Sequence, residues 1–206
     1  MHKRFAPILL VLALVTAGCG DGDDSKALTE ATLQGYLLTQ AEVPSGFTQQ
    51  EVEEEEESEE KAADEAACLE QDTDETVPAE AEASAEFATA EGISQISHEV
   101  QAYEAGKAAE AMAEGRRIAD QCKTFEEVVE GTTMRGTFES VDFPSMGDDT
   151  AAFSLKASIT NVPLNGMMVA VRKGDVVSAV VFIVANAEVD RAVVEDLVRK
   201  ATAKVA

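Results

Sequence analysis

The sequence predicts an α+β fold, a mostly antiparallel sheet of about five or six strands backed by two main helices in a single domain. Two long stretches, 105–122 and 188–205, carry apolar residues at spacings of three and four, which is typical of helices that cover a sheet. Short apolar stretches joined by turn residues lie between them, as in an antiparallel sheet. We therefore expect both helices to pack on one face of that sheet.

The start of the chain predicts a secretory leader that ends at a cysteine. Lys3 and Arg4 precede an apolar run over 5–15, and small residues at 16–18 lead to Cys19. That run is too short for a membrane-spanning helix, which needs roughly 20 apolar residues. The ending resembles a bacterial lipobox, which implies cleavage before Cys19 and attachment of a diacylglycerol to its sulfur. The alternative is an ordinary secretory peptide with an incidental cysteine.

The leader and the charge divide the chain into a signal peptide (1–18), a flexible tether (19–27) and one domain (28–206). Residues 51–60 are almost all acidic, which predicts a disordered acidic loop at about 49–62. The whole chain has 16 Lys and Arg against 40 Asp and Glu, a formal net charge of −24. Such a charge repels nucleic acid and anionic lipid, so we expect no nucleic-acid partner.

The first half of the domain predicts two helices and two strands. A helical pattern begins at Leu28 and continues to Gln40, and a second short helix over 61–70 would contain Cys68. Residues 84–89 and 93–103 read as neighbouring strands.

His98 lies on the second of these strands and is the one histidine that remains after the predicted leader is removed. It shares a strand face with Ile96 and Val100, and no cysteine or carboxylate cluster lies beside it in the sequence. We therefore expect a hydrogen-bonded strand residue, while a catalytic or metal-binding histidine is the alternative.

The second half predicts a run of strands that ends in a hairpin and the last helix. The nearly unbroken apolar run over 176–185 predicts a central strand that is covered on both faces. Gly174 supplies the turn that precedes it, and Asn186 is the expected cap of the last helix. The other predicted strands are 133–143, 150–157 and 167–172.

Two cysteines, Cys68 and Cys122, remain if Cys19 carries the lipid. Outside the membrane such a pair most simply forms a disulfide. The alternative is a reactive thiol pair, but the two residues lack C-x-x-C spacing and have no neighbouring histidine to lower a thiol pKa.

Sequence motifs for catalysis are absent. The chain has no nucleophile elbow, zinc-protease, P-loop or dinucleotide-binding motif, and one histidine cannot be assigned to a Ser-His-Asp set. Acidic residues are too numerous for any carboxylate pair to stand out as a catalytic dyad. We therefore expect no catalytic residues, no metal site and no cofactor.

The order of the elements resembles the extracellular sensor domain of PknH-type receptor kinases and of related actinobacterial surface lipoproteins. The residues that carry it are LLTQAEVPSGF at 37–47, the short helix with Cys68, the helix over 108–122, GDD at 147–149, and MVAVRKGD at 168–175 before a final helix. The resemblance implies an antiparallel sheet backed by helices and a cleft for an unidentified extracellular ligand. It also implies a disulfide role for Cys68 and Cys122.

These observations together predict a non-catalytic ligand-binding or sensor-like domain. It would be held on the extracytoplasmic side of the cell membrane by its N-terminal lipid and would meet an unknown extracellular ligand or protein partner. The alternative is a lipid or glycolipid carrier with an internal apolar cavity. An enclosed apolar void would favour the carrier, and a filled core with an open polar groove would favour the sensor-like domain. The candidate cavity residues are Met112, Met134, Met146, Met167 and Met168.

Overall fold

The computed structural model describes residues 28–50, 77–92, 94–129 and 132–205, which form an eight-stranded antiparallel sheet with three helices. Cys19, Cys68, the predicted leader, the short helix over 61–70 and most of the predicted acidic loop lie outside these residues. The elements in chain order are α1 (Glu30–Gln34), β1 (Phe47–Gln49), β2 (Ala81–Thr89), β3 (Gln95–Ala102), α2 (Lys107–Gln121), β4 (Thr124–Val129), β5 (Thr132–Ser140), β6 (Asp149–Ile159), β7 (Val162–Lys173), β8 (Val176–Ala185) and α3 (Arg191–Lys204).

The sheet has the strand order β1-β2-β3-β8-β7-β6-β5-β4, and every neighbouring pair is antiparallel. The prediction of a central apolar strand is confirmed, because β8 lies between β3 and β7. Val180 and Phe182 belong to the apolar cluster on one face of β8, and Val177 belongs to the cluster on the other. Both faces of this strand are covered, which explains its nearly unbroken apolar sequence.

The two long helices pack on opposite faces of the sheet, so the expectation that they share one face is wrong. Successive residues of a strand point to opposite faces. On β7, Met167 and Val169 pack in the cluster that contains the buried side chains of α3, whereas Met168 and Ala170 pack in the cluster of α2. Alternate residues of one strand thus form two separate cores.

The structure has more elements than the sequence predicted. Strand β1 has only three residues and follows a Pro-Ser-Gly turn, and β4 begins with the polar sequence TFEE. Both are edge strands, where burial on one side alone leaves a weak sequence pattern. The helix predicted from Leu28 to Gln40 is shorter in the structure, because α1 has only five residues and ends at Gln34.

The predicted cap of the last helix is also wrong, whereas the predicted hairpin turn is confirmed. The N-cap of α3 is Asp190, whose carboxylate accepts a hydrogen bond from the Ala192 amide at 3.0 Å. Asn186 has a left-handed φ of 56° and lies four residues earlier, where the chain turns after β8. Gly174 has a φ of 60°, the positive value that its tight turn between β7 and β8 requires.

Candidate functional site

A groove of about 590 Å³ lies between α2 and the chain segment that leads into β2. Helix α2 contacts strands β5 to β8. The segment over 77–82 lies beside this helix, and its Val77 and Ala79 pack against the core on the α2 face. The segment is fixed to the end of β3 by a hydrogen bond from the Glu80 amide to the Ala102 carbonyl at 2.8 Å. We call this space the α2 groove; its lining residues are Val77, Pro78, Ala79, Glu80, Ala81, Glu82, Gln101, Tyr103, Ala111, Glu114, Gly115 and Ile118.

The α2 groove combines an apolar wall with acidic side chains. Helix α2 contributes Ala111, Gly115 and Ile118 to the lining. Gly115 is exposed and Ile118 is half-buried, whereas Met112 and Ala119 on the same helix pack in the core on the α2 face. Glu80, Glu82 and Glu114 also line the groove, and the Glu114 carboxylate is paired with Arg117 at 2.5 Å. The carboxylates of Glu80 and Glu82 disfavour anionic ligands.

A chain of short hydrogen bonds forms the β3 side of the groove. The Tyr103 hydroxyl donates to Oε1 of Gln101 at 2.5 Å, and Nε2 of Gln101 donates to Oε1 of Glu99 at 2.6 Å. Desolvation and the neighbouring Glu82 carboxylate raise the pKa of Glu99. Desolvation, followed by the charges of Glu99 and Glu82, also raises the pKa of Tyr103. The tyrosine therefore remains a protonated hydrogen-bond donor at neutral pH.

The sequence analysis missed the other wall of the groove. No helix or strand was predicted over 77–80, and only the position of this segment beside α2 makes it part of the groove. One signal in the sequence could have indicated a groove, namely a glycine, Gly115, on an otherwise apolar helix face. Glycine is a poor helix former, so its presence within a helix suggests that packing or function requires it. A recess of about 400 Å³ continues from the same segment towards the start of α2, where Lys107 adds a positive charge.

His98 is fully buried and is engaged at both ring nitrogens. Its Nδ1 accepts a hydrogen bond from the Leu38 amide at 2.9 Å, and its Nε2 lies 2.9 Å from Oγ of Ser178. Because an amide can only donate, the ring proton is on Nε2 and is donated to Ser178. Desolvation, with a smaller contribution from Lys204, lowers the pKa of His98 to about 4, although Glu42 opposes the shift. The prediction of a hydrogen-bonded strand histidine is confirmed.

The segment that bears Leu38 is also held to the end of α3 by charged groups. Lys204 donates to the Glu42 carboxylate at 2.6 Å and to the Leu37 carbonyl at 2.7 Å. Partial burial raises the pKa of Glu42, but hydrogen bonds from Lys204 and Thr39 outweigh it, so the net pKa is lowered. Together with His98, these contacts fix the first described segment on the face of the sheet that α3 covers.

Two of the three predicted modification residues lie outside the described residues. Cys122 is 2% exposed and is the C-cap residue of α2. Its pairing with Cys68 and the lipidation of Cys19 stay predictions. Within the described residues there is no group of histidine, cysteine and acidic side chains that could hold a metal ion. No helix in this part of the chain has the length and apolarity to cross a membrane.

The methionines that were candidates for a carrier cavity do not come together. Met167 and Met146 pack with the core on the α3 face, whereas Met112 and Met168 pack with the core on the α2 face. The sheet therefore separates the two pairs. None of the five candidate methionines, Met134 included, lines the α2 groove.

The chain is weakly similar to a solved structure. No family model and no curated protein matches the chain. A solved structure that it resembles is the extracellular domain of PknH from Mycobacterium tuberculosis, with 13% sequence identity, a TM-score of 0.49, and coverage of 87% of this chain and 95% of that chain.

Proposed function

We propose that the chain is a non-catalytic, lipid-anchored extracytoplasmic protein that binds a ligand in the α2 groove. The observation that carries the binding function is the groove itself, an open space of about 590 Å³ lined by both apolar and polar side chains. Ligand-binding sites are typically concave spaces of about 300–1,000 Å³.

The non-catalytic part of the proposal is supported by the position of His98. Both of its ring nitrogens are occupied by protein groups, and the side chain is 0% exposed, so it is not available as a general base or nucleophile. Tyr103 is likewise committed to a hydrogen bond with Gln101. The positions of these two side chains support a binding role rather than a catalytic one.

The sequence supports the anchoring part. Thr16-Ala17-Gly18 before Cys19 supplies the small residues that lipoprotein processing requires. Cells that express the protein should incorporate labelled palmitate into it, and Cys19→Ala should abolish the label and release the protein from the membrane fraction. The control variant is Ser25→Ala, which should keep both the label and the membrane location. An unlabelled wild-type protein would contradict the anchor.

The groove is testable through Gly115. A Cβ added at this position would meet no atom within 4 Å, so Gly115→Phe should fill the groove without strain in the helix. The probe is N-phenyl-1-naphthylamine, a neutral apolar dye whose fluorescence rises when it leaves water. We expect the wild-type chain to bind it and the Gly115→Phe variant to bind about tenfold more weakly, a loss of about 1.4 kcal/mol.

The matched control for this experiment is Ala113→Phe. Ala113 is exposed on the same helix and does not line the groove, so the variant adds the same side chain outside the site. Its affinity for the dye should equal that of the wild-type chain. Equal affinities for all three proteins would show that the dye binds elsewhere. This result would contradict the proposal that the α2 groove is the ligand site.

A further inference from the structure

Among the described residues, strand β1 forms one end of the sheet, and no described strand pairs with its outer edge. Its other edge pairs with β2, and the Gln50 amide continues this ladder with a hydrogen bond to the Glu86 carbonyl at 2.8 Å. Because the bonding direction alternates along an antiparallel strand, the backbone groups of Phe47 and Gln49 point away from β2. They face the outer edge, where a further strand would normally bind them.

The side chain of Gln40 occupies that place. Its Nε2 donates to the Phe47 carbonyl at 2.8 Å, and its Oε1 accepts from the Gln49 amide at 2.8 Å. In a parallel pair of strands, each bonded residue faces one residue of the neighbouring strand. It donates to the carbonyl of the residue before that one and accepts from the amide of the residue after it, which is the same pair of bonds. One side-chain amide thus imitates one residue of a neighbouring strand.

The backbone around Gln40 is held in place from both sides. The Thr39 amide donates to the Glu42 carboxylate at 2.8 Å, and the same carboxylate accepts from Lys204 on α3. The Glu42 carbonyl accepts from Lys200 at 2.9 Å. These contacts fix the turn that bears Gln40, so its amide remains opposite β1.

The two ends of the sheet differ in charge. Strand β4, at the far end, carries Glu126, and charged side chains on an edge strand discourage pairing with other chains. Residues 47–50, with the sequence FTQQ, have no charge at all, although the chain has a formal net charge of −24. Phe47 is half-buried and packs against the core on the α3 face, with its ring centroid 5.8 Å from that of Phe182. Strand β1 therefore carries no charge of its own, and charge that discourages pairing here comes from neighbouring residues, beginning with Glu51.

We propose that Gln40 is an edge plug, a residue whose side-chain amide binds the outward Phe47 carbonyl and Gln49 amide of β1 and thereby prevents this strand from pairing with β1 of a second copy of the chain. Two copies related by a twofold axis would place the same uncharged strand against itself, which is the usual symmetry of a dimer. The Gln40 side chain therefore competes with a second copy of the chain for the same outward backbone groups of β1.

The test compares the sedimentation velocity of full-length variants at increasing protein concentration. All of them carry Cys19→Ala so that a lipid cannot bring copies together, and high salt screens the net negative charge. The test variant is Gln40→Ala, and the control is Gln34→Ala. Gln34 is equally exposed and loses a comparable bond, from its Nε2 to Glu30 at 3.1 Å, but lies on α1 away from the edge.

We expect the Gln40→Ala variant to form a concentration-dependent dimer, while the background protein and the Gln34→Ala variant sediment as one unchanged species. Adding Gln49→Pro to Gln40→Ala removes the outward amide, and this double variant should return to the monomer. Unchanged sedimentation of Gln40→Ala would overturn the proposal. Association that survives Gln49→Pro would overturn it as well, because the contact would then not be through β1.

Discussion

Replacing His98 with alanine should lower the free energy of unfolding by about 3–5 kcal/mol. The side chain is 0% exposed, so its removal leaves a cavity between the sheet and the first described segment. The Leu38 amide loses its acceptor, and the Ser178 hydroxyl loses the Nε2 donor. A buried donor left without a partner costs about 1–3 kcal/mol by itself. Urea denaturation at neutral pH measures the change.

Ser178→Ala is the matched control for this prediction. It removes the partner of Nε2 but keeps the ring in place and preserves the bond from the Leu38 amide to Nδ1. We expect it to cost about 1 kcal/mol, the typical value for one hydrogen bond. If His98→Ala and Ser178→Ala destabilise the protein equally, the contact with Leu38 contributes nothing and the described role of His98 is wrong.

The sequence predicted the elements whose periodicity is strong. Strand β8 and helices α2 and α3 were recognised because each has a long apolar pattern that local residues alone determine. The faces on which the helices lie were not predictable in this way. A helix that packs on either side of the sheet has the same amphipathic sequence, and only the path of the whole chain decides between the sides.

The candidate site shows the same limit. The sequence indicated that His98 would be a hydrogen-bonded residue, but its partners are the amide of Leu38, 60 positions earlier, and Ser178, 80 positions later. The α2 groove likewise joins a helix to the polar stretch over 77–82. Contacts between distant residues depend on strand order, which no local pattern contains.

Acid should destabilise the protein through His98, by up to about 3 kcal/mol between neutral pH and pH 4. Burial, aided by Lys204 and opposed by Glu42, lowers its pKa from 6.5 to about 4. In that interval the unfolded chain binds a proton and the folded chain does not. The free energy of unfolding therefore falls as the pH drops below 6.5 and stops falling on this account near pH 4. Urea denaturation over this range measures the slope.

The carboxylates must be separated from this effect, because Glu42 and Asp149 also have lowered pKa values and lose their contribution as the pH falls. His98→Gln is the variant that does so: its amide can still accept from Leu38, but it does not titrate. The difference in unfolding free energy between the wild-type chain and this variant should shrink steadily from pH 6.5 towards pH 4. A difference that stays constant would mean that His98 titrates equally in both states, and thus that it is not buried as a neutral ring. Protonation removes the lone pair on Nδ1 that binds the Leu38 amide, so the segment over 28–50 should be the first part of the fold to loosen in acid.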